Sequence, residues 1–130
     1  MSISQAVILA GGYGKRLRPV NANLPKPLVN VAGQPFIFHL FKQLKNENFT
    51  EIIILAGYKS NLFVDLIKNY KETGIKIKVI EQPSNFDTGA RIVHALSHLN
   101  DNFLLLYGDN YCGIGIKKLI ETFNKKSKML

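Results

Sequence analysis

An α/β fold is predicted, with a mostly parallel sheet covered by helices on both faces. Three observations predict it. Short apolar runs at residues 5–10, 51–56 and 103–107 each end directly on a glycine, as buried strands closed by a turn would. Stretches with apolar residues at helical spacing separate the runs. Strands that alternate with helices pair in parallel through right-handed crossovers, so the elements stack as three α/β/α layers.

The elements follow in order. Residues 5–10 form the first strand, and a loop then runs to about residue 24. Residues 28–31 are a short extended piece closed by Ala32-Gly33. Pro35 opens a helix to about residue 46, with Phe36, Leu40 and Leu44 on one face. Ile52-Ile53-Ile54-Leu55 is continuous enough for a strand buried on both faces. Ser60 is placed to cap a helix over 61–70, which Gly74 separates from the next element. Residues 75–80 alternate apolar side chains with lysine, as an edge strand or one with a wet face does. A loop over 82–88, a helix over 89–99, a strand over 103–107 and a helix over 114–126 complete the chain.

The 130 residues suit one domain with a real core. A hydrophobic content of 46% with 20% charged residues is that of a soluble globular protein. No run approaches the length of a membrane helix, and no basic, apolar, small-residue leader opens the chain. The one cysteine, Cys112, has no internal partner, so a cytoplasmic location is expected. Nothing around Cys112 activates it as a nucleophile. A net charge of +8 favours anionic partners. Nucleic acid is not favoured, because the basic residues are dispersed and the late lysines alternate with apolar residues as on a solvated helix face.

The densest chemistry lies in Leu9-Ala10-Gly11-Gly12-Tyr13-Gly14-Lys15-Arg16-Leu17-Arg18-Pro19. Three glycines in four positions leave backbone N–H groups uncovered beside fixed cations, which makes an anion site, and phosphate is the usual anion. A glycine turn with solvated charges is the other reading. The P-loop is excluded because Leu9 stands where its first glycine belongs and Arg16 where its Ser/Thr belongs. The dinucleotide fingerprint is excluded because Leu17 replaces its last glycine. Downstream, Pro25 and Pro27 stiffen the backbone around Lys26, so that its ammonium is aimed. Asp109 follows an apolar strand and a glycine, as a turn-capping residue or as an acid at a strand end. His94 and His98 stand four apart with no third ligand, which disfavours a zinc site, and His39 is equally isolated. If the first and fourth strands are neighbours at a reversal of strand order, the glycine loop and Asp109 face one crevice.

The run from Leu9 to Pro19, followed by Pro25-Lys26-Pro27-Leu28, Val31, Gly33 and Pro35, resembles the signature of the sugar-1-phosphate nucleotidylyltransferases. Their pattern is L-A-G-G-x-G-x-R-L-x-P, a spacer, then P-K-P-L-x-x-V-x-G-x-P. Lys15 departs from it, where Thr or Ser is usual, and so does Asn21, where Thr is common. The resemblance implies a Rossmann-like fold, an NTP and a sugar 1-phosphate as substrates, and Mg2+ as cofactor. It implies nucleotide contacts from Leu9, Ala10, Gly11, Gly12, Gly14 and Lys15, and catalytic charge from Arg16 and Lys26. The sequence around Gly108-Asp109 resembles the metal-holding strand end, so Mg2+ is expected on Asp109. Gln82 and Gly89 match the loop that meets the base, although the Asp87-Thr88-Gly89-Ala90-Arg91 version departs from the commoner Gly-Thr-Ala and Gly-Thr-Gly-Gly forms. An Asp87 or Thr88 helix cap is compatible with that role.

GTP with a heptose or mannose 1-phosphate is weakly preferred over other substrates. The resemblance covers the nucleotide-binding portion of the family, with residues 1–130 as that portion. On this expectation the chain is truncated and holds nucleotide with little transfer, and an uncovered sheet surface favours self-association. A non-catalytic nucleotide-binding or regulatory domain is the alternative function. A basic nucleic-acid-binding module is a third.

Overall fold

The structure is a computed structural model that describes residues 3–10, 24–70 and 74–108. Its strands are β1 (Gln5–Leu9), β2 (Asn30–Val31), β3 (Gln34–Pro35), β4 (Glu51–Ala56), β5 (Lys76–Glu81) and β6 (Leu104–Tyr107). Its α-helices are α1 (Phe36–Asn46), α2 (Ser60–Lys68) and α3 (Thr88–His94). Two 3-10 turns, Lys26–Leu28 and Leu96–His98, complete the described elements. Among the described residues no helix is long and apolar enough to cross a membrane.

β1, β4, β5 and β6 form a sheet of order β5-β4-β1-β6 in which every pairing is parallel. The chain steps outward from β1 to β4 to β5, then returns to place β6 on the other side of β1. Right-handed crossovers that step in opposite directions put their helices on opposite faces, and the core divides accordingly. On one face Ala6, Ile8, Ile52 and Ile54 meet Ile37, Leu40, Phe41 and Leu44 of α1 and Phe63 of α2. On the other, Val7, Leu9, Ile53 and Leu55 meet Ala95 at the end of α3. The three-layer α/β/α arrangement expected from the sequence is therefore present. On the α3 face, Val93, Leu96, Leu105 and Tyr107 are exposed.

β4 occupies the predicted residues 51–56, because a run buried on both faces has no polar position at which to fray. β5 keeps Lys76 and Lys78 in solvent, as its alternation implies. Three local expectations change. The buried stripe of α1 is Ile37, Leu40, Phe41 and Leu44, with Phe36 only half-buried at its margin. Ser60 does not cap α2, because its hydroxyl donates to Glu81 Oε2 of β5 at 2.7 Å, and Lys59 takes the cap position at φ 52°. The helix over 89–99 is two pieces, with α3 giving way after His94 to the Leu96–His98 turn. The His94 and His98 rings also have separate partners, Gln82 and Lys78. The predicted helix over 114–126 and Cys112 lie outside the described residues.

Gln5 ties the amino-terminal end of the sheet together. It is fully buried, and its Nε2 donates to Glu51 Oε1 at 2.8 Å and to the His98 carbonyl at 2.9 Å. Its Oε1 accepts from the Asn100 N–H at 2.8 Å. Truncation would remove three part-buried hydrogen bonds, to three separate segments, at once. Gln5→Ala is therefore expected to cost about 2 kcal/mol, seen as a lowered urea midpoint with an unchanged slope.

Candidate functional site

The one reversal of strand order among the described strands lies between β1 and β6. In open parallel sheets the crevice beyond the carboxyl ends at such a point takes the ligand. The first and fourth long strands are neighbours, which meets the condition for a shared crevice, with Leu9 paired to Tyr107. Just past the strand ends, the Ala10 N–H donates to the Leu55 carbonyl at 2.9 Å and the Gly108 N–H to the Leu9 carbonyl at 2.9 Å. Leu9 and Ala10 are buried, so their side chains anchor the end of β1 in the sheet. Gly11, Gly12, Gly14, Lys15, Arg16 and Asp109 lie outside the described residues.

Lys26 is at this same end. Leu28 N–H donates to the Pro25 carbonyl at 3.0 Å and Val29 N–H to the Lys26 carbonyl at 3.2 Å, which winds one tight turn. Pro27 and Leu28 are buried and Lys26 is half-buried. Pro27 seats the turn on the end of β6. A Cβ on Gly108 would lie 2.8 Å from Pro27 Cγ, 3.2 Å from Ile8 Cγ2 and 3.2 Å from the Leu9 oxygen. Glycine at 108 thus lets the Lys26 turn approach β1 and β6. The turn then runs through Val29, whose carbonyl accepts from the Phe36 N–H at 2.9 Å, into the β2–β3 hairpin. Ala32 and Gly33 at its tip have φ of 52° and 85°, the left-handed pair of a two-residue hairpin. His39 holds the hairpin to α1, with its Nε2 2.7 Å from the Val31 carbonyl. This role was not apparent from an isolated histidine.

Gln82 follows β5 directly and extends its ladder, donating its N–H to the Ala56 carbonyl at 2.8 Å. Its side chain is buried and turned toward α3. Nε2 donates to the Arg91 carbonyl at 2.9 Å and lies 3.1 Å from His94 Nδ1, while Oε1 accepts from Arg91 Nη1 at 3.3 Å. The carboxamide is therefore held in one orientation, with Nε2 on the Arg91 carbonyl and Oε1 on the guanidinium. Gly89 is exposed in the first turn of α3, and a Cβ there would meet only Asp87 Oδ1 at 3.6 Å. Asp87 caps α3, its Oδ1 accepting from the Ala90 N–H at 2.8 Å, so the cap and an open Gly89 coexist.

Arg91 was not singled out by the sequence. It is a buried arginine whose burial lowers the pKa of its guanidinium. The side chain lies against Gly57, where a Cβ would come within 2.7 Å of Nη2, and Nη2 donates to the Ser84 carbonyl at 3.3 Å. The only available signal was one charged residue between Ala90 and Ile92, in a helix with few polar positions. Among the described residues no group of three or more His, Cys, Asp or Glu could hold a metal.

Residues 5–130 match the sequence profile of the family described as Nucleotidyl transferase. The D-glycero-alpha-D-manno-heptose 1-phosphate guanylyltransferase of Campylobacter jejuni is 32% identical over 115 residues, 88% of this chain and 52% of that protein. The mannose-1-phosphate guanyltransferase 2 of Candida glabrata is 34% identical over 121 residues, 90% of this chain and 34% of that protein. Among solved structures, HddC from Yersinia pseudotuberculosis complexed with GMP-PN superposes with a TM-score of 0.82 at 32% identity. That match covers 92% of this chain and 54% of HddC. The chain thus spans about a third to a half of the length of these proteins. With residues 5–130 matched, on a parallel sheet whose strand order reverses beside β1, this chain belongs to the nucleotidyl transferase family.

Proposed function

We propose that the chain supplies the nucleotide-binding part of a sugar-1-phosphate nucleotidylyltransferase, with GTP as nucleotide and a heptose or mannose 1-phosphate as acceptor. The observation that carries this reading is the convergence of the Lys26 turn, the end of β1 and the end of β6 on one crevice, in a chain of this family. The guanylyltransferase names of two relatives and the GMP-PN in the HddC complex support guanine.

In the proposed reaction an oxygen of the sugar phosphate attacks the α-phosphorus of the NTP in line. The bond from the α-phosphorus to its bridging oxygen breaks, and pyrophosphate leaves with that electron pair. No covalent enzyme intermediate is required, so catalysis is positioning and charge neutralisation. Lys26 neutralises the α-phosphate as charge builds. The amides of Gly11, Gly12 and Gly14, with Lys15 and Arg16, hold the departing pyrophosphate. Mg2+, proposed on Asp109, neutralises phosphate charge when bound, and a carboxylate suits that hard cation. Leu9 and Ala10 set the depth of the crevice, and residues 82–89 face the base.

Two measurements test this. In a thermal-shift series of GTP, UTP, CTP, dTTP and ATP with Mg2+, GTP is expected to give the largest shift, and a largest shift with ATP would refute the base assignment. Gly89→Ala should leave the melting temperature level or slightly raised, since alanine suits a helical turn and its Cβ would meet only Asp87 Oδ1, at an ordinary contact distance of 3.6 Å. The same variant should weaken GTP binding severalfold, because its methyl occupies the surface that the nucleoside approaches. Unchanged affinity would remove Gly89 from the site.

A further inference from the structure

We infer that Arg91 is a positioning residue for base recognition, locking the loop beyond β5 against the ends of β4 and β5. This inference rests on the nucleotide-binding reading above. The guanidinium spans two points of the loop, bonding Gln82 Oε1 through Nη1 and the Ser84 carbonyl through Nη2, both at 3.3 Å. Its own backbone carbonyl accepts from Gln82 Nε2 at 2.9 Å, so Arg91 grips that carboxamide from both ends. The plane is backed by Gly57, where any side chain would displace it, since a Cβ would lie 2.7 Å from Nη2 and 3.0 Å from Nη1.

A planar fork of fixed donors suits this bridging, which a lysine ammonium cannot reproduce. His94, one helical turn's end away, adds a second hold. It meets Gln82 Nε2 through Nδ1 and packs edge-on against Phe86 of the same loop, with centroids 5.6 Å apart. The consequence is specific to the base. With Nε2 fixed on the Arg91 carbonyl and Oε1 on the guanidinium, Gln82 presents its carboxamide in one orientation only. Releasing Arg91 frees the amide to rotate, so that it presents donor or acceptor alike and loses its choice among bases.

The test uses the full chain with GTP, UTP and inorganic tripolyphosphate as probes, in Mg2+ buffer. Arg91→Ala should weaken GTP binding about tenfold, the scale of a lost charge-assisted hydrogen bond. It should bring the GTP-to-UTP affinity ratio close to one and leave tripolyphosphate affinity unchanged. Hydrogen exchange should quicken over residues 83–89 and stay slow in β4. Gly57→Ala should produce the same pattern, because its Cβ would press on the guanidinium and, at 3.1 Å, on the Ser84 Cα of the same loop.

Arg91→Lys keeps the charge without the fork, so it should fold and still lose the preference. Parallel loss of GTP and tripolyphosphate binding would make Arg91 a general stabilising residue and overturn the inference. So would a retained preference in the Arg91 variants, with the nucleotide-binding reading left standing. A wild-type chain that binds none of the three probes would instead refute that reading, and the inference with it.

Discussion

Replacing Lys26 by alanine is expected to slow nucleotidyl transfer about a hundredfold or more, roughly 3 kcal/mol of transition-state stabilisation, while nucleotide affinity changes far less. The asymmetry follows from where the charge is needed. The ground-state triphosphate is already neutralised by the groups proposed around its β- and γ-phosphates, whereas charge on the α-phosphate grows as the new bond forms. The lysine is held for this by its flanks. Pro25 and Pro27 fix the turn, Pro27 and Leu28 are buried, and the turn closes on itself through the Leu28 N–H. Pyrophosphate release by the full-length protein, with kcat and KM determined separately, provides the check. A Lys26→Ala enzyme with near-normal kcat would move the catalytic charge elsewhere.

Gly108→Ala is expected to be the most damaging single methyl in the described residues. The new carbon would lie 2.8 Å from Pro27 Cγ and 3.2 Å from both Ile8 Cγ2 and the Leu9 oxygen. Two of those neighbours are backbone or a rigid ring, and Ile8 is fully buried, so none can rotate aside cheaply. Relief comes from lifting the Lys26 turn off β6. About 2 kcal/mol of stability should be lost, as in overpacked cores. Nucleotide affinity should fall more than stability alone explains, because the lysine moves with the turn. Denaturation and titration on the same preparation separate the two losses. Full nucleotide affinity in a folded Gly108→Ala protein would show that the turn does not need its seat on β6.

β1 and β4 were legible because they are buried on both faces and their apolar runs stop at a glycine, so composition and boundary agree, as at Glu51–Ala56. The lysine alternation of β5 disclosed its wet face in the same way. Tertiary partners overrode local signals elsewhere. Ser60 carries the chemistry of a helix cap, yet Glu81 from the neighbouring strand takes its hydroxyl. The prolines around Lys26 announced a stiff turn, but its seat depends on strand order, which no local pattern encodes. Arg91 was hidden for a related reason. An arginine on a short helix resembles a solvated charge until Gly57, thirty-four positions earlier in the sequence, is found beneath it.

The most direct test of the crevice at the β1–β6 reversal is a map of backbone amide shifts as Mg2+ and GTP are titrated into the 130-residue chain. The largest changes are expected at Ala10, Lys26, Leu28 and Gly108, with a second group over residues 84–90. Residues at the opposite end of the sheet, Gln5, Glu51 and Asn100, should stay still. Changes concentrated on Lys76 and Lys78 along β5, or at the Asn100 end, would contradict the placement of the site.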